Sequence, residues 1–106
     1  MKNSFRFYFI NDIITMNVVK MNKKEKQILL IKQLGTAIKS RRKHLRMSQQ
    51  ELALLSETSL NFICQLEAGK STVRLNKLLD VLYAVGLELN VINGNSQISF
   101  ASDIEQ

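Results

Sequence analysis

The sequence predicts one small, mainly α-helical domain with a short β-strand at its C-terminal end. The 106-residue chain contains no Pro and only 4 Gly, and 45% of its residues are hydrophobic, which suits a helical chain with a single core. Apolar residues recur at helical spacing in successive stretches, and the pattern changes to alternation only after Gly86. We therefore expect four helices followed by one or two strands.

The first and longest helix is predicted over residues 24–46. Its apolar residues share one stripe at helical spacing; they are Ile31, Leu34, Ile38 and Leu45. Gly35 is a mildly destabilising residue inside this helix. Most of the basic side chains of the stretch lie away from the stripe.

A second, short helix is predicted to begin at Gln49. Residues 48–51 read Ser-Gln-Gln-Glu, a capping box in which the Ser48 hydroxyl and the Glu51 carboxylate each accept a backbone N–H of the other residue. The helix is expected to end near Ser56. The residues expected to face inward are Leu52, Ala53 and Leu55.

A third short helix is predicted to follow almost at once. Ser59 is the expected N-cap, with Thr58 as the alternative. Gly69 is expected to end the helix, because glycine readily adopts the left-handed conformation found there. The residues expected to face inward are Phe62, Ile63 and Leu66.

The fourth helix is predicted over residues 75–85, with Gly86 closing it. Its predicted stripe consists of Leu75, Leu78, Leu79, Leu82 and Val85. Residues 87–92 then alternate in the way that predicts a strand, with Leu87, Leu89 and Val91 on one side. Residues 93–95 (Asn-Gly-Asn) predict a turn, and Ile98 and Phe100 a second short strand.

The charge distribution suggests a polyanionic partner. The net charge is +6; from Lys20 to Arg46 there are ten basic residues and one acid, whereas from Leu78 to Gln106 there are four acids and no Lys or Arg. Such a basic half is typical of nucleic-acid binding, although a solvated helix face is the alternative. The single Cys and single His cannot form a Cys/His zinc site, so we expect no metal or other cofactor.

The domain organisation predicted from these patterns has four parts. Residues 1–23 are an accessory segment, because their apolar run is broken too early for a membrane span and lacks the core of a signal peptide. Residues 24–86 form the helical domain, residues 87–100 the strands, and residues 101–106 a flexible tail. With one Cys and no disulfide, a cytoplasmic location is expected.

The two short helices point to DNA. Helices this short are unstable alone, because nucleation is costly, so they must pack on longer neighbours. A short helix pair across a tight turn is the helix-turn-helix unit, whose second helix enters the major groove with its N-terminal residues first. Those residues are Ser59, Leu60 and Asn61, with Gln65 one turn further on. Amide side chains such as Asn and Gln can pair with the edge of adenine.

The start of the preceding helix suits a phosphate. Gln49 offers a backbone N–H and an amide there, beside the Ser48 hydroxyl. Lys70 and Arg74 follow the third helix and are further candidates for phosphate contacts. The competing interpretation is solvent exposure alone, or for Ser59 a helix cap alone.

Residues 34–71 resemble the phage-repressor-like (Xre/Cro-type, lambda-repressor-like) helix-turn-helix domain. The matching features include the Arg41-Arg42 pair, Ser48-Gln49, Glu51-Leu52-Ala53, and Leu66-Glu67 followed by Gly69-Lys70. Two features depart from the pattern. Residues 56–59 (Ser-Glu-Thr-Ser) lack the usual turn glycine, which predicts a strained Ser56 or Glu57. Leu60 replaces a polar base reader but can still contact a thymine methyl.

Residues 62–91 more specifically resemble the HipB-like antitoxins. That resemblance implies a homodimer joined through the strand at Leu87, Leu89 and Val91, and a transcriptional repressor of its own operon. It also implies a HipA-like kinase toxin as partner. The resemblance to the wider helix-turn-helix family implies an ion pair between Arg42 and Glu67 that ties the first helix to the third, and two independent surface charges are the alternative. A stand-alone repressor, or a protein-interaction module without DNA binding, is the alternative. No nucleophile and base set is visible, so we do not expect an enzyme.

Overall fold

The computed structural model describes residues 21–93. These residues form four helices, α1 (Lys23–His44), α2 (Gln49–Ser56), α3 (Leu60–Glu67) and α4 (Leu75–Val85). The short helices α2 and α3 pack against each other; α2 also packs on α4, and α1 packs on both α3 and α4. The predicted mainly helical fold is therefore confirmed.

Side-chain caps mark the starts of α1, α2 and α3. Ser48 and Glu51 form the predicted capping box of α2, with Glu51 N donating to Ser48 Oγ over 3.0 Å and Ser48 N donating to the Glu51 carboxylate over 2.7 Å. A second capping box, of Asn22 and Glu25, starts α1. At the other end of α1 Arg46 adopts a φ of 60°. Helix α1 was predicted over residues 24–46. It begins one residue earlier, at Lys23, and ends two residues earlier, at His44.

The hydrophobic core lies where the four helices meet. Its fully or almost fully buried residues are Ile38, Leu52, Ala53, Ile63, Leu66, Leu78, Val81, Leu82 and Val85. Leu34, Phe62 and Leu87 pack against this core while remaining partly exposed. The core thus takes residues from every helix and holds the two short ones in place.

Several residues predicted to face inward are exposed instead. Leu55 is 59% exposed, Leu75 61% and Leu79 44%, whereas Val81 is fully buried without having been predicted. Adjacent helix positions differ by about 100° around the axis, so a buried stripe through Leu78, Leu82 and neighbouring positions leaves Leu79 at its side. The sequence alone does not show which side of such a helix is buried, because leucines at several positions give stripes of similar hydrophobicity.

Gly35 permits a close approach between α1 and the end of α3. A Cβ built on Gly35 would lie 2.5 Å from the carbonyl oxygen of Leu66 and 2.9 Å from that of Glu67. Both atoms belong to backbone, which a small side-chain movement cannot displace. Gly35, which the sequence marked only as mildly destabilising, therefore lies where α1 crosses the end of α3.

The chain after Gly86 departs from the prediction. Residues 87–93 form no strand in the part of the chain that the structure describes. A strand needs a hydrogen-bonding neighbour, and alternation in sequence alone does not supply one. Leu87 packs against the core, whereas Leu89, Val91 and Ile92 are exposed. The predicted second strand at Ile98 and Phe100, most of the turn at 93–95, the tail and the accessory segment up to residue 20 lie outside the described residues.

Candidate nucleic-acid interface

The turn between α2 and α3 is unusually tight for a chain without glycine there. Glu57 adopts the left-handed conformation, with φ 58° and ψ 41°, which confirms the predicted strain. Ser56 is buried, and its hydroxyl donates to the carbonyl of Leu52 over 2.7 Å. Thr58 lies 3.0 Å from the same hydroxyl. Two side-chain oxygens therefore hold a turn that glycine would form without strain.

A serine is the N-cap residue of each short helix. The Ser48 hydroxyl accepts from Glu51 N, and the Ser59 hydroxyl accepts from Phe62 N, each over 3.0 Å. Each hydroxyl keeps its own hydrogen for donation. Ser48 and Ser59 are exposed, so a phosphate oxygen can receive that hydrogen while the caps stay in place.

The N-terminal turn of α3 presents its side chains to solvent. Leu60 and Asn61 are both exposed, as a base-reading position requires. Gln65, one turn on, is half-buried, and its amide oxygen accepts from Lys70 Nζ over 2.9 Å. Lys70 is thereby positioned beside α3, and Arg74 is the exposed N-cap residue of α4.

Gln49 is bound more tightly to the protein than the sequence suggested. Its amide nitrogen donates to Glu67 Oε1 over 3.0 Å, and its amide oxygen accepts from the Cys64 thiol over 3.2 Å. One amide hydrogen and the backbone N–H remain for a phosphate. No sequence pattern predicted these contacts, which join the start of α2 to the middle and end of α3.

Arg42 and Glu67 form a buried, two-pronged ion pair. Arg42 Nε lies 2.7 Å from Glu67 Oε2, and a second guanidinium nitrogen lies 3.1 Å from Oε1. The guanidinium also donates to the carbonyl of Met47 over 2.7 Å. The hydrogen bonds to Glu67 raise the pKa of Arg42, and burial opposes this only in part. This network fixes α1, the loop before α2, and α3 relative to one another.

Arg41 makes a second link that the sequence did not indicate. Its Nε donates to the carbonyl of Val85 over 2.8 Å. That carbonyl lies at the C-terminal end of α4, where backbone oxygens lack partners within the helix and a cation is favourable. Consecutive arginines thus hold α1 against two different helices, Arg42 against α3 and Arg41 against α4.

The structure places the predicted residues in three neighbouring segments. Ser48 and Gln49 lie at the start of α2, and Lys70 and Arg74 lie on the connection to α4. Ser59, Leu60 and Asn61 lie at the start of α3, and Gln65 lies in its second half. Direct contacts join Gln49 to α3, and Gln65 to Lys70. Ser48 and Arg74 have no such contact to α3 among the described residues.

A curated relative matches more than half of the chain. It is an uncharacterized HTH-type transcriptional regulator, y4mF, of Sinorhizobium fredii, 36% identical over 59 residues that cover 56% of this chain and 78% of the relative. The chain belongs to the helix-turn-helix transcriptional regulators. No protein-family model matches it.

Two further features bear on this helix-turn-helix regulator. Among residues 21–93, no helix is long and apolar enough to cross a membrane. The same part of the regulator contains no group of three His, Cys, Asp or Glu side chains that could hold a metal ion.

Proposed function

We propose that the protein is a sequence-specific DNA-binding transcriptional repressor. The observation that supports this most directly is the exposed N-terminal turn of α3. The contacts of Gln49 and Arg42 with Glu67, at the other end of α3, fix the orientation of α3 relative to the start of α2 and to α1. A rigid pair of helix N-termini suits DNA, because one can face base edges while the other faces a phosphate.

In this proposal the side chains divide into readers and anchors. Asn61 and Gln65 pair with base edges, and Leu60 contacts a thymine methyl. Ser48, Gln49, Ser59, Lys70 and Arg74 bind the phosphate backbone. Gln65 and Lys70 are hydrogen-bonded to each other without DNA, and the Gln65 amide keeps a second lone pair on its oxygen and both N–H groups for a base edge.

Substitutions distinguish readers from anchors. Asn61→Ala and Gln65→Ala should each weaken binding by about 1–3 kcal/mol on duplexes selected by the wild-type protein from a random pool, and hardly change binding to unselected duplex. Lys70→Ala should weaken both and reduce the slope of log K against log salt by about one. Equal losses on both duplexes for Asn61→Ala and Gln65→Ala would remove the two residues from base reading.

We further propose that this repressor is the antitoxin of a HipA-like kinase and regulates their shared operon. The support is the resemblance of residues 62–91 to HipB-like antitoxins. Co-expression with a kinase-like protein encoded next to its gene should yield a stable complex that binds the operon's promoter more tightly than the repressor alone. Failure of the two proteins to co-purify at low salt would leave a stand-alone repressor.

The alternative is a module that binds protein and not DNA. Salt titration separates the two functions, because a protein that neutralises several phosphates loses affinity steeply as salt rises. A protein with no measurable affinity for selected or unselected duplex at low salt would support the alternative.

A further inference from the structure

The face formed by α2 and α4 is apolar and has no role in the proposed DNA contacts. Tyr83 is 87% exposed, and Leu54, Leu55, Leu75 and Leu79 are exposed as well. A groove of about 570 Å³ lies on this face; its lining residues are Leu55, Ser56, Glu57, Asp80, Tyr83 and Ala84. Large exposed side chains that line one groove together, as Leu55 and Tyr83 do here, usually mark a surface that another segment covers.

The groove is acidic on a basic protein. Residues 21–93 contain twelve Lys or Arg and six Asp or Glu. Of the six acids, Glu25 and Glu51 belong to capping boxes and Glu67 to the buried ion pair. The other three, Glu57, Asp80 and Glu88, form no ion pair with another described residue, and two of these line the groove. A basic and apolar occupant fits it best.

Charge distinguishes the possible occupants. Residues 1–20 combine Lys2, Arg6 and Lys20 with a single acid, and they include the aromatic run Phe7-Tyr8-Phe9. Residues 94–106 have two acids and no Lys or Arg, so the groove would repel them. A second copy placed symmetrically on the same face would bring its Glu57 and Asp80 towards these acids, which is also unfavourable.

The N-terminal segment is long enough to reach the groove. Twenty extended residues span up to about 66 Å at roughly 3.3 Å per residue, whereas the largest dimension of the described structure is 39 Å. We propose that residues 1–20 dock within the same chain on the groove between α2 and α4, with aromatic side chains of residues 5–9 against Leu55 and Tyr83 and Arg6 against Asp80. Docking buries apolar surface on both sides, which drives the association.

Photo-crosslinking of the full chain tests this docking. Phe7→p-benzoylphenylalanine keeps an aromatic ring and adds a ketone that reacts on illumination with neighbouring C–H bonds. We expect cross-links to residues 54–57 or 79–84 in a product with the mass of one chain. The same substitution at Phe100 is the control, and it should not label the groove. Cross-links elsewhere on the chain, or no groove labelling above this control, would overturn the proposal.

A mixture of isotopically light and heavy chains separates docking within a chain from docking between chains. Mixed light–heavy products as the main species would overturn docking within one chain and assign the groove to the segment of a second copy. Products from single chains only are the expected result.

Exchanging the two charges tests the proposed pairing of Arg6 with Asp80. Asp80→Lys and Arg6→Glu should each lower the yield of groove cross-links by about two- to fivefold, the effect of an exposed charge pair. The double variant should restore the yield, because the charges are then exchanged. Glu88→Lys changes an exposed acid outside the groove and should leave the yield unchanged. If the double variant stays as low as the single variants, Arg6 does not face Asp80.

Discussion

Three residues at the α1–α3 contact show how single residues determine the packing of these two helices. Gly35 lets the helices approach, and Arg42 and Glu67 then join them through a buried ion pair. Glu67 accepts from Gln49 as well, so both carboxylate oxygens are hydrogen-bonded. Because burying charges is costly unless they are fully paired, this network contributes a fixed relative orientation of the helices more surely than it contributes net stability.

Gly35→Ala should destabilise the protein although alanine favours helices. In an open helix this change stabilises by about 1 kcal/mol. Here the new Cβ would meet two backbone oxygens, and overpacking of this kind costs about 1–3 kcal/mol. Urea unfolding measures the difference. Thr36→Ala, at an exposed neighbouring position, should change the free energy of unfolding by less than about 0.5 kcal/mol, and a stabilised Gly35→Ala would show that α1 and α3 can separate freely.

The sequence predicted residue roles where a local rule applies and failed where packing decides. The Ser48 capping box depends on four consecutive residues, and it lies where it was predicted. The contacts of Gln49 with Cys64 and Glu67 join positions 15 and 18 residues apart, and no local pattern carries that information. The Arg42–Glu67 contact was predicted from the family resemblance, because the spacing of the two residues in the sequence does not indicate that they pack together.

At the scale of elements, the two short helices depend on their caps, their turn and their neighbours. Helix existence was predictable from periodicity, and all four helices match their predicted starts within one residue. Their buried faces were less predictable, because α2 and α4 have leucines on several sides. Leu55, Leu75 and Leu79 remain exposed since the opposing helices cover only one side of each helix.

Glu57→Gly should stabilise the turn between α2 and α3. A non-glycine residue in the left-handed region costs about 1–2 kcal/mol, and the greater entropy that glycine loses offsets part of the gain. We expect a net gain of about 0.5–1 kcal/mol in the free energy of unfolding, measured with urea. Glu57→Val places a β-branched residue at the same φ of 58° and should destabilise. A Glu57→Gly protein less stable than wild type would contradict strain at this residue.

At the scale of the whole molecule, our two proposals assign function to two different surfaces. The starts of α2 and α3 present exposed serine hydroxyls and the Asn61 side chain, whereas the groove between α2 and α4 is lined by apolar and acidic side chains. The short helix pair and the family resemblance predicted the first surface, whereas the basic residues 20–46 suggested only a polyanionic partner. The second was not predictable, because Leu55, Leu79 and Tyr83 read equally well as core residues until the helix faces are known.

The dimer is the property of the whole molecule on which operator binding should depend. One short recognition helix makes few base contacts, whereas a two-fold dimer places two such helices about 34 Å apart, one turn of DNA. Residues 87–92 belong to no helix or strand of the described structure, and within them Val91 is 96% exposed and Leu89 and Ile92 are also exposed. We expect this segment to become a strand when it pairs with the same segment of a second copy.

Light scattering should therefore give a mass of about 24 kDa, twice the 12.1 kDa of the chain. Val91→Pro removes a backbone donor from the ladder and should yield monomers that stay helical by circular dichroism but lose tight operator binding. Val91→Thr keeps the N–H and the β-branched shape, so it should remain largely dimeric. If Val91→Pro is still a dimer, the two copies meet through another surface, and the apolar N-terminal segment becomes the first candidate.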